Sequence, residues 1–325
     1  MAISNTYDTT NPGSAVSNFE DLSASVYRVV PEKTPITSLA SRGKTTATFA
    51  EWTVDKLKTP STMANGVSEG ADVSSFSDQY ENRARIGNYI QVWRDDWMVS
   101  KLQQAAASAG PADVANAKAK AMINVKLGIE YQIASAGDRQ QETGTGSPYK
   151  TRGLGDWIDS AGPSDVPSDY RTPSGSIEAD GANLTEAELQ TIVQGVFSAS
   201  GEVSNNTMVC GTTIRNKISG FTRVEGATTA RNYTVFDKGS EKKLTYAVTF
   251  FDTDYGMLTL MNGNPDCMID ANSAFILNSD FYELLDYIPM GATDLEDQGG
   301  GQRGYVDCAM ALCVKNPRAF GKIET

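Results

Sequence analysis

Carboxylates are the main residues that could do chemistry, because the 325-residue chain contains no histidine. This absence excludes Ser-His-Asp and Cys-His nucleophiles, histidine-bound zinc and imidazole proton shuttles. Paired carboxylates can act in acid–base or metal chemistry, but a solvated acidic rim is the commoner outcome of an acidic run. The densest run contains no basic residue and comprises Asp280, Glu283, Asp286, Asp294, Glu296 and Asp297.

Two loops and four cysteines match reactive motifs only in part. The glycine-rich residues 299–304 lack the Gly-Lys-Ser/Thr ending of a phosphate loop and precede a predicted strand. Residues 252–256 are similar to a calcium loop, but the glycine comes one position early and Gly263 replaces the twelfth-position glutamate. We interpret these segments as a flexible loop and a polar turn. We predict no catalytic residue, no cofactor and no metal site, and we expect buried thiols at Cys210, Cys267, Cys308 and Cys313.

The composition is that of a globular, acidic protein. Hydrophobic residues make up 40% of the chain and charged residues 21%, with a net charge of -12 and a pI near 4.6. This balance argues against a surface built to grip phosphates, which needs clustered Lys and Arg. No signal peptide or membrane-spanning stretch is evident, so we expect a cytosolic protein without membrane contact.

A long hairpin is the element around which the remaining chain is organised. Residues 48–55 alternate in character, with Ala50, Trp52 and Val54 on one face. Residues 85–93 also alternate, with Ile86, Ile90 and Val92 grouped together. The intervening tip is rich in turn formers, and an isolated two-stranded ribbon is marginal in water. We therefore expect the hairpin to complete its packing on another copy of the protein.

A long helix follows the hairpin. Residues 98–109 are predicted to form a short helix, and a spine helix of about 26 residues, nearly 40 Å long, then runs to Ala136. Its lysines leave two interpretations open: a solvated polar face, or a mildly basic face that meets acidic neighbours or an enclosed nucleic acid. The apolar stripe of the helix comprises Val114, Ala117, Ala121, Met122, Val125, Ile129, Ile133 and Ala136.

The remaining segments indicate an α+β organisation. An amphipathic stretch at residues 19–30 lies in an N-terminal arm, and a glycine-rich connector at residues 139–183 is predicted to pack locally through Trp157. Thr185 and Glu188 form a capping-box pattern ahead of an apolar helix face. Strand-like runs follow, and the apolar residues 305–314 are predicted to lie inside a sheet.

This order of parts resembles the tailed-bacteriophage major capsid proteins with the Hong Kong 97-like fold, and within them the SU-ten-type family. The likeness covers nearly the whole chain, and its specificity comes from the order in which individually weak motifs occur. Those motifs are Thr-Pro-Ile at 34–36, Phe-Ala-Glu-Trp-Thr-Val-Asp-Lys-Leu at 49–57, Ser-Glu-Gly at 68–70, Arg-Ile-Gly-Asn-Tyr-Ile-Gln at 85–91, Val-Ser at 99–100, Gly-Leu-Gly-Asp-Trp-Ile at 153–158 and Asn-Pro-Arg-Ala-Phe-Gly at 316–321.

The resemblance implies an α+β capsid fold in five parts. These are an N-terminal arm at 1–43, an extended hairpin (E-loop) at 44–100, a spine helix and connector in a peripheral domain at 101–183, an axial α+β domain at 184–302 and a returning C-terminal strand at 303–325.

The resemblance further implies a structural protein, not an enzyme, that assembles as pentamers and hexamers into an icosahedral shell. The shell would enclose double-stranded DNA without sequence-specific binding, and it would be assembled in the host cytoplasm and located in the virion. Portal, scaffold or decoration proteins are expected as further partners. Phe49, Trp52 and Tyr89 are predicted to be apolar anchors at the contact between subunits.

Two alternatives remain from the sequence. One is an encapsulin-like cytosolic shell of the same fold that holds a protein cargo. The other is a carboxylate-dependent enzyme centred on the acidic stretch near Asp294.

Overall fold

The protein is described from a computed structural model, which describes residues 31–58, 60–63, 66–73, 75–76, 78–106, 112–201, 206–221, 236–238, 241–243 and 249–325. The amphipathic stretch predicted at residues 19–30 lies outside these ranges. The helices are α1 Pro35–Leu39, α2 Lys101–Ala105, α3 Asp113–Ala134, α4 Leu154–Trp157, α5 Glu186–Ser200 and α6 Thr212–Phe221. Short 3-10 turns occupy Pro60–Met63, Ser168–Tyr170, Ser174–Ser176, Gly181–Asn183 and Pro317–Ala319.

Fourteen strands in the described ranges form four sheets. The strands are β1 Ser41–Lys44, β2 Phe49–Val54, β3 Ala84–Tyr89, β4 Gln91–Ser100, β5 Ile177–Glu178, β6 Asn206–Cys210, β7 Phe236–Lys238, β8 Glu241–Lys243, β9 Phe250–Thr253, β10 Gly256–Asn262, β11 Ala274–Asn278, β12 Tyr282–Leu295, β13 Gly301–Val314 and β14 Gly321–Ile323. The sheets have the orders β1-β12-β13-β4, β5-β14-β11-β6-β10-β9, β2-β3 and β7-β8. This mixture of helices and strands agrees with the predicted α+β class.

The four-stranded sheet carries the spine helix α3. β13 is central, because it pairs antiparallel with both β12 and β4, and β1 adds in parallel to β12. Ala121, Val125, Ile129 and Ile133 of α3 are buried, as the predicted stripe requires. The helix has 22 residues and ends at Ala134, before the predicted Ala136. The stripe also does not extend to Met122, which is 37% exposed.

The prediction of a helix from residue 98 was wrong in its first turn. β4 continues to Ser100, because Met98, Val99 and Ser100 remain paired with β13. Only then does α2 begin, and the Ser100 hydroxyl accepts a hydrogen bond from the Gln103 N–H, 3.2 Å away. Pairing with a central strand has therefore overridden local helix preference.

The grouping of Val92 with Ile86 and Ile90 was also wrong. Val92 is 53% exposed, whereas Trp93 and Trp97 are buried. β3 pairs with β2 up to Tyr89, and β4 starts at Gln91 in a different sheet. The change of sheet moves the inward-facing positions from even to odd residue numbers.

The six-stranded sheet has a buried core on each face, because successive strand residues point to opposite sides. Phe275 and Leu277 of β11 join the core that also contains α3, whereas Ala274 and Ile276 join a second core under α5 and α6. The predicted capping box at Thr185 and Glu188 is present. All four cysteines are buried and free. Burial raises the pKa of Cys210 to about 12.

Residues 31–44, which we call the strap, connect the two large sheets. The Asn264 side chain donates to the carbonyls of Pro31 and Lys33, at 3.2 and 2.9 Å. The N–H groups of Ile36 and Thr37 each donate to a different oxygen of buried Glu130, both at 2.8 Å. Burial raises the pKa of Glu130, although the two N–H groups favour its charged form. The strap then continues as β1 on the edge of β12.

Candidate assembly interface

The base of the β2–β3 hairpin packs into the body of the subunit. Ala50 and Ile86 are buried, and the Trp52 indole N–H donates to the Val314 carbonyl at 3.0 Å. The Trp52 ring also lies 5.8 Å from that of Trp157, which is 1% exposed. Trp157 therefore belongs to the main core and contacts the hairpin, so its packing extends beyond the local packing predicted for the connector.

Phe49 and Tyr89 form an aromatic pair at the same base, with their ring centroids 4.6 Å apart. The Arg139 guanidinium lies 4.9 Å from the Phe49 ring, and its Nη1 donates to the Gly87 carbonyl at 2.5 Å. Together with Trp52, these predicted anchors thus have partners inside their own chain. Their contact with a second subunit remains a prediction.

A buried polar cluster beneath the hairpin escaped the sequence interpretation. The Asn88 amide nitrogen donates to the Leu312 carbonyl at 2.8 Å and to the Thr151 hydroxyl at 2.9 Å. Its side-chain oxygen accepts the Arg152 N–H at 2.8 Å. This one amide therefore ties β3 to the connector and to β13. In the sequence, Asn88 stands between apolar neighbours of a strand, which is the only local sign of a buried polar role.

The Arg152 side chain extends this cluster and is only 1% exposed. Its guanidinium pairs with Asp138 at 2.6 Å, Asp165 at 2.6 Å and Asp156 at 2.8 Å. Burial opposes the charge on Asp165, but hydrogen bonds and charge from Arg152 bring the pKa of Asp165 below its usual value. The pKa of Asp156 is raised, because burial outweighs the attraction of Arg152. The cluster fixes the base of the hairpin on the body of the subunit.

The hairpin tip has the opposite character. The described residues between β2 and β3 contain one 3-10 turn and no strand. Their large apolar side chains lie in solvent, with exposures of 91% at Leu57, 83% at Val67, 69% at Val73, 92% at Phe76 and 62% at Tyr80. The same segment carries the carboxylates Glu69, Asp72, Asp78 and Glu81. Five highly exposed apolar side chains in one loop make this segment a candidate contact site. The aromatic Phe76 in a polar loop was the available signal for it.

The carboxylates of the acidic run are divided among separate ion pairs in the structure. Four of its carboxylates are ion-paired with basic residues from other segments, so they lie along β12 and its turn as separate pairs. These pairs are Glu283 with Lys315 at 3.0 Å, Asp286 with Arg42 at 3.1 Å, Asp294 with Lys118 at 2.7 Å and Asp297 with Lys101 at 2.6 Å. Within the described ranges, no three or more Cys, Asp or Glu side chains are grouped as a metal site would require.

The glycine-rich residues 299–304 are a loop only in part. Residues 296–300 join β12 to β13, but residues 301–304 already belong to β13 and pair with β4, so the flexible-loop interpretation was wrong for these four residues. Asp254 and Tyr255 join β9 to β10, where Gly256 pairs with Thr253. The interpretation of residues 252–256 as a polar hairpin turn is therefore confirmed. Across the part of the chain that the structure describes, no helix combines the length and the apolar character needed to cross a bilayer.

A model of the SU10 major capsid protein family matches residues 2–325. The chain belongs to the SU10 major capsid protein family. The resemblance seen in the sequence is thereby confirmed, and with it a structural role in a capsid and a location in the virion capsid. No curated protein matches the sequence.

Solved capsid structures share the fold of this SU10-family chain. The capsid protein of a native GTA particle aligns with a TM-score of 0.62 at 13% identity, covering 98% of this chain and 99% of the other. The cyanophage A-1(L) capsid aligns with a TM-score of 0.61 at 15% identity, again covering 98% and 99%. Mycobacterium phage Adephagia gives a TM-score of 0.62 at 11% identity, with 98% of each chain covered. The predicted α+β capsid fold is confirmed.

Proposed function

We propose that this SU10-family protein assembles, as pentamers and hexamers, into an icosahedral shell that encloses double-stranded DNA. Assembly takes place in the host cytoplasm, with portal, scaffold or decoration proteins as additional partners. The five predicted parts of the chain, from arm to returning strand, serve as the arm, E-loop, peripheral and axial units of one subunit. The proposal is supported by the family match over residues 2–325.

The observation that carries the assembly proposal is the contrast between the fixed base and the exposed tip of the β2–β3 hairpin. Leu57, Val67 and Phe76 are each more than four-fifths exposed. Burying one such side chain stabilises a contact by about 1.5–3 kcal/mol. A second copy of the chain would bury them, and closed symmetry would repeat the contact around the shell.

Charge distribution supports a shell that holds DNA without reading its sequence. The net charge of -12 leaves no excess of cations for tight phosphate binding across the whole surface. The spine helix α3 nevertheless presents exposed Lys120 and Lys126, and Lys118 is already paired with Asp294. A few exposed lysines on an acidic subunit suit weak, sequence-independent contact with an enclosed polyanion. The family match favours this role over a protein-cargo shell or a carboxylate-dependent enzyme.

The proposal is tested by expressing the chain, imaging the particles and assaying nuclease-protected DNA. The informative variant combines Val67→Ser, Val73→Ser and Phe76→Ser, which removes exposed apolar surface without touching the base of the hairpin. We expect a folded subunit with at least a tenfold lower assembled fraction, the consequence of losing about 1.4 kcal/mol or more per contact.

The matched control combines Phe250→Ser and Met257→Ser, two residues on the β9–β10 hairpin that are 54% and 51% exposed. This control should assemble like the unmodified chain. If both variants assemble normally, the tip is not the contact. If the unmodified chain forms no particles with its natural partners present, the shell proposal itself fails.

A further inference from the structure

The β2–β3 hairpin keeps its contact with the body of the subunit for a short distance beyond its paired strands. Just past the ends of β2 and β3, the Asp55 carboxylate accepts a hydrogen bond from Arg83 Nε at 2.8 Å, which holds the two arms of the hairpin together. Residues 55–56 and 82–83, which we call the stem, therefore join the fixed base to the exposed tip.

One turn of the connector contacts both arms of the stem. The turn is the 3-10 segment Ser168–Tyr170, in which Asp169 Oδ2 pairs with Lys56 Nζ of the outgoing arm at 3.1 Å. The Tyr170 hydroxyl donates to the Asn82 carbonyl of the returning arm. Because the two contacts lie on opposite arms, together they fix the direction in which the hairpin leaves the body, whereas a single contact would still allow rotation.

The Ser168–Tyr170 turn is itself attached to the centre of the subunit. The Arg318 guanidinium donates to the Asp169 carbonyl at 3.0 Å. The Thr172 hydroxyl, in a residue that is only 1% exposed, donates to the Pro317 carbonyl at 2.7 Å. Both partners belong to the turn between β13 and β14, which are strands of the two large sheets. The position of these sheets is thereby passed on to the stem.

The contacts of the stem can open without disturbing the core. The Lys56 and Asp169 side chains are 39% and 60% exposed, and the Asp55 and Arg83 side chains are 41% and 50% exposed. Ion pairs between groups as exposed as these are weak and are screened by salt. A cavity of about 590 Å³ lies between the stem, the turn and the end of α5, so the stem has room to shift on this side.

We propose that the Ser168–Tyr170 turn is a releasable latch that sets the direction of the hairpin tip. When the latch is closed, both arms of the stem are held and the tip has one direction. When it opens, the stem pivots about the ends of β2 and β3, and the buried base around Asn88 and Arg152 stays in place. The closed latch presents a preorganised tip, which lowers the ordering cost of any contact that the tip makes.

The direction of the tip is measured on dissociated full-length subunits by double electron–electron resonance. Spin labels are placed at Ser75→Cys in the tip and Gln190→Cys on α5, two exposed positions. The four native cysteines are buried, so the labels react selectively at the introduced thiols. We expect one narrow distance distribution for the labelled chain with its latch intact.

The latch variant combines Lys56→Met with Tyr170→Phe, which removes both contacts of the stem and keeps the aliphatic and aromatic parts of the side chains. Its distance distribution should widen at least about twofold, because the hinge has lost both restraints. Charge reversal examines the ion pair alone. Lys56→Glu or Asp169→Lys should each widen the distribution, and the two combined should narrow it again.

Lys315→Met is the matched control. Lys315 lines the same cavity and is 45% exposed, but it pairs with Glu283 at 3.0 Å and not with the hairpin. The control should leave the distribution unchanged, and thermal melts verify that all variants fold.

Four results would overturn the latch: a broad distribution in the chain with its latch intact, a latch variant that stays narrow, an equal widening in Lys315→Met, or no narrowing in the combined charge reversal. None of these measurements requires shells, so the failure of the latch is distinct from a failure of the proposed function.

Discussion

The subunit contains two prominent hairpins, and their ends are built differently. The β12–β13 hairpin has strands of 14 residues each and a short glycine-rich turn. Lys101 and Lys118 pair with Asp297 and Asp294 at this end and hold it against the body. The β2–β3 hairpin has strands of six residues, a long tip and exposed apolar side chains. The first hairpin is a fixed part of the subunit because β13 pairs with β4 along its length, up to Gly301 and Ser100, whereas the tip of the second hairpin extends beyond its paired strands.

The largest effect is expected at the base of the second hairpin. Arg152→Ala leaves three carboxylates without their common partner. We expect a loss of about 3 kcal/mol in the free energy of unfolding, the lower end for breaking a buried pair, because Asp138 is 65% exposed. Urea unfolding of dissociated subunits measures it. Arg94→Ala is the control, since Arg94 is 59% exposed and 3.5 Å from Asp307, and its loss should stay below about 1 kcal/mol. Equal losses would contradict the special role of the base.

An intermediate effect is expected from Asn88→Ala. It leaves the Arg152 N–H and the Leu312 carbonyl without the side chain that now satisfies them. Unsatisfied buried groups cost about 1–3 kcal/mol, which the same unfolding experiment would detect. Asn124→Ala removes an exposed hydrogen bond to Asp95 and should change stability by about 0.5 kcal/mol or less. A neutral Asn88→Ala would show that the hairpin base does not depend on this amide.

The smallest effect concerns the end of the first hairpin. A hydrogen bond from Lys101, with the N–H groups of Gly299 and Gly301, lowers the pKa of Asp297 to about 2. Because the folded value lies below the ordinary value of 3.8, this carboxylate stabilises the fold above about pH 4 and loses that contribution as the pH falls toward 2. Asp297→Asn should therefore lower the melting temperature at pH 6 and lower it less at pH 3. A difference independent of pH would exclude this anchoring.

Local sequence patterns predicted where the helices and strands of this subunit lie better than they predicted which of them pair or pack together. The alternation at Ala50 and Trp52, the capping box at Thr185 and the α3 stripe at Val125 depend on neighbours within a few residues, and all are present. The side reversal at Val92 depends on which sheet each strand joins, and no local pattern carries that information. The same limit explains why Arg152 was overlooked.

The acidic run shows this limit on the side of function. Its carboxylates were considered as a chemical centre because the run itself contains no base. The compensating cations are Lys101, Lys118 and Lys315, and each lies more than 30 positions in the sequence from the carboxylate that it pairs with. For Lys118 and Asp294 the separation is 176 residues. Phe76 illustrates the converse, since an aromatic side chain in a polar loop is itself a local signal, and it is 92% exposed in the structure.

The strap has a consequence for which of its positions tolerate substitution. Asn264 and Glu130 bind its backbone carbonyls and N–H groups, and the Tyr282 hydroxyl likewise donates to the Ile36 carbonyl at 3.0 Å. These contacts do not depend on the identity of the strap's side chains, whereas the burial of Ile36 and the ion pair of Arg42 with Asp286 do. A replacement at Lys33, which is bound through its carbonyl, should therefore leave the path of the strap unchanged, whereas a polar residue at Ile36 should not.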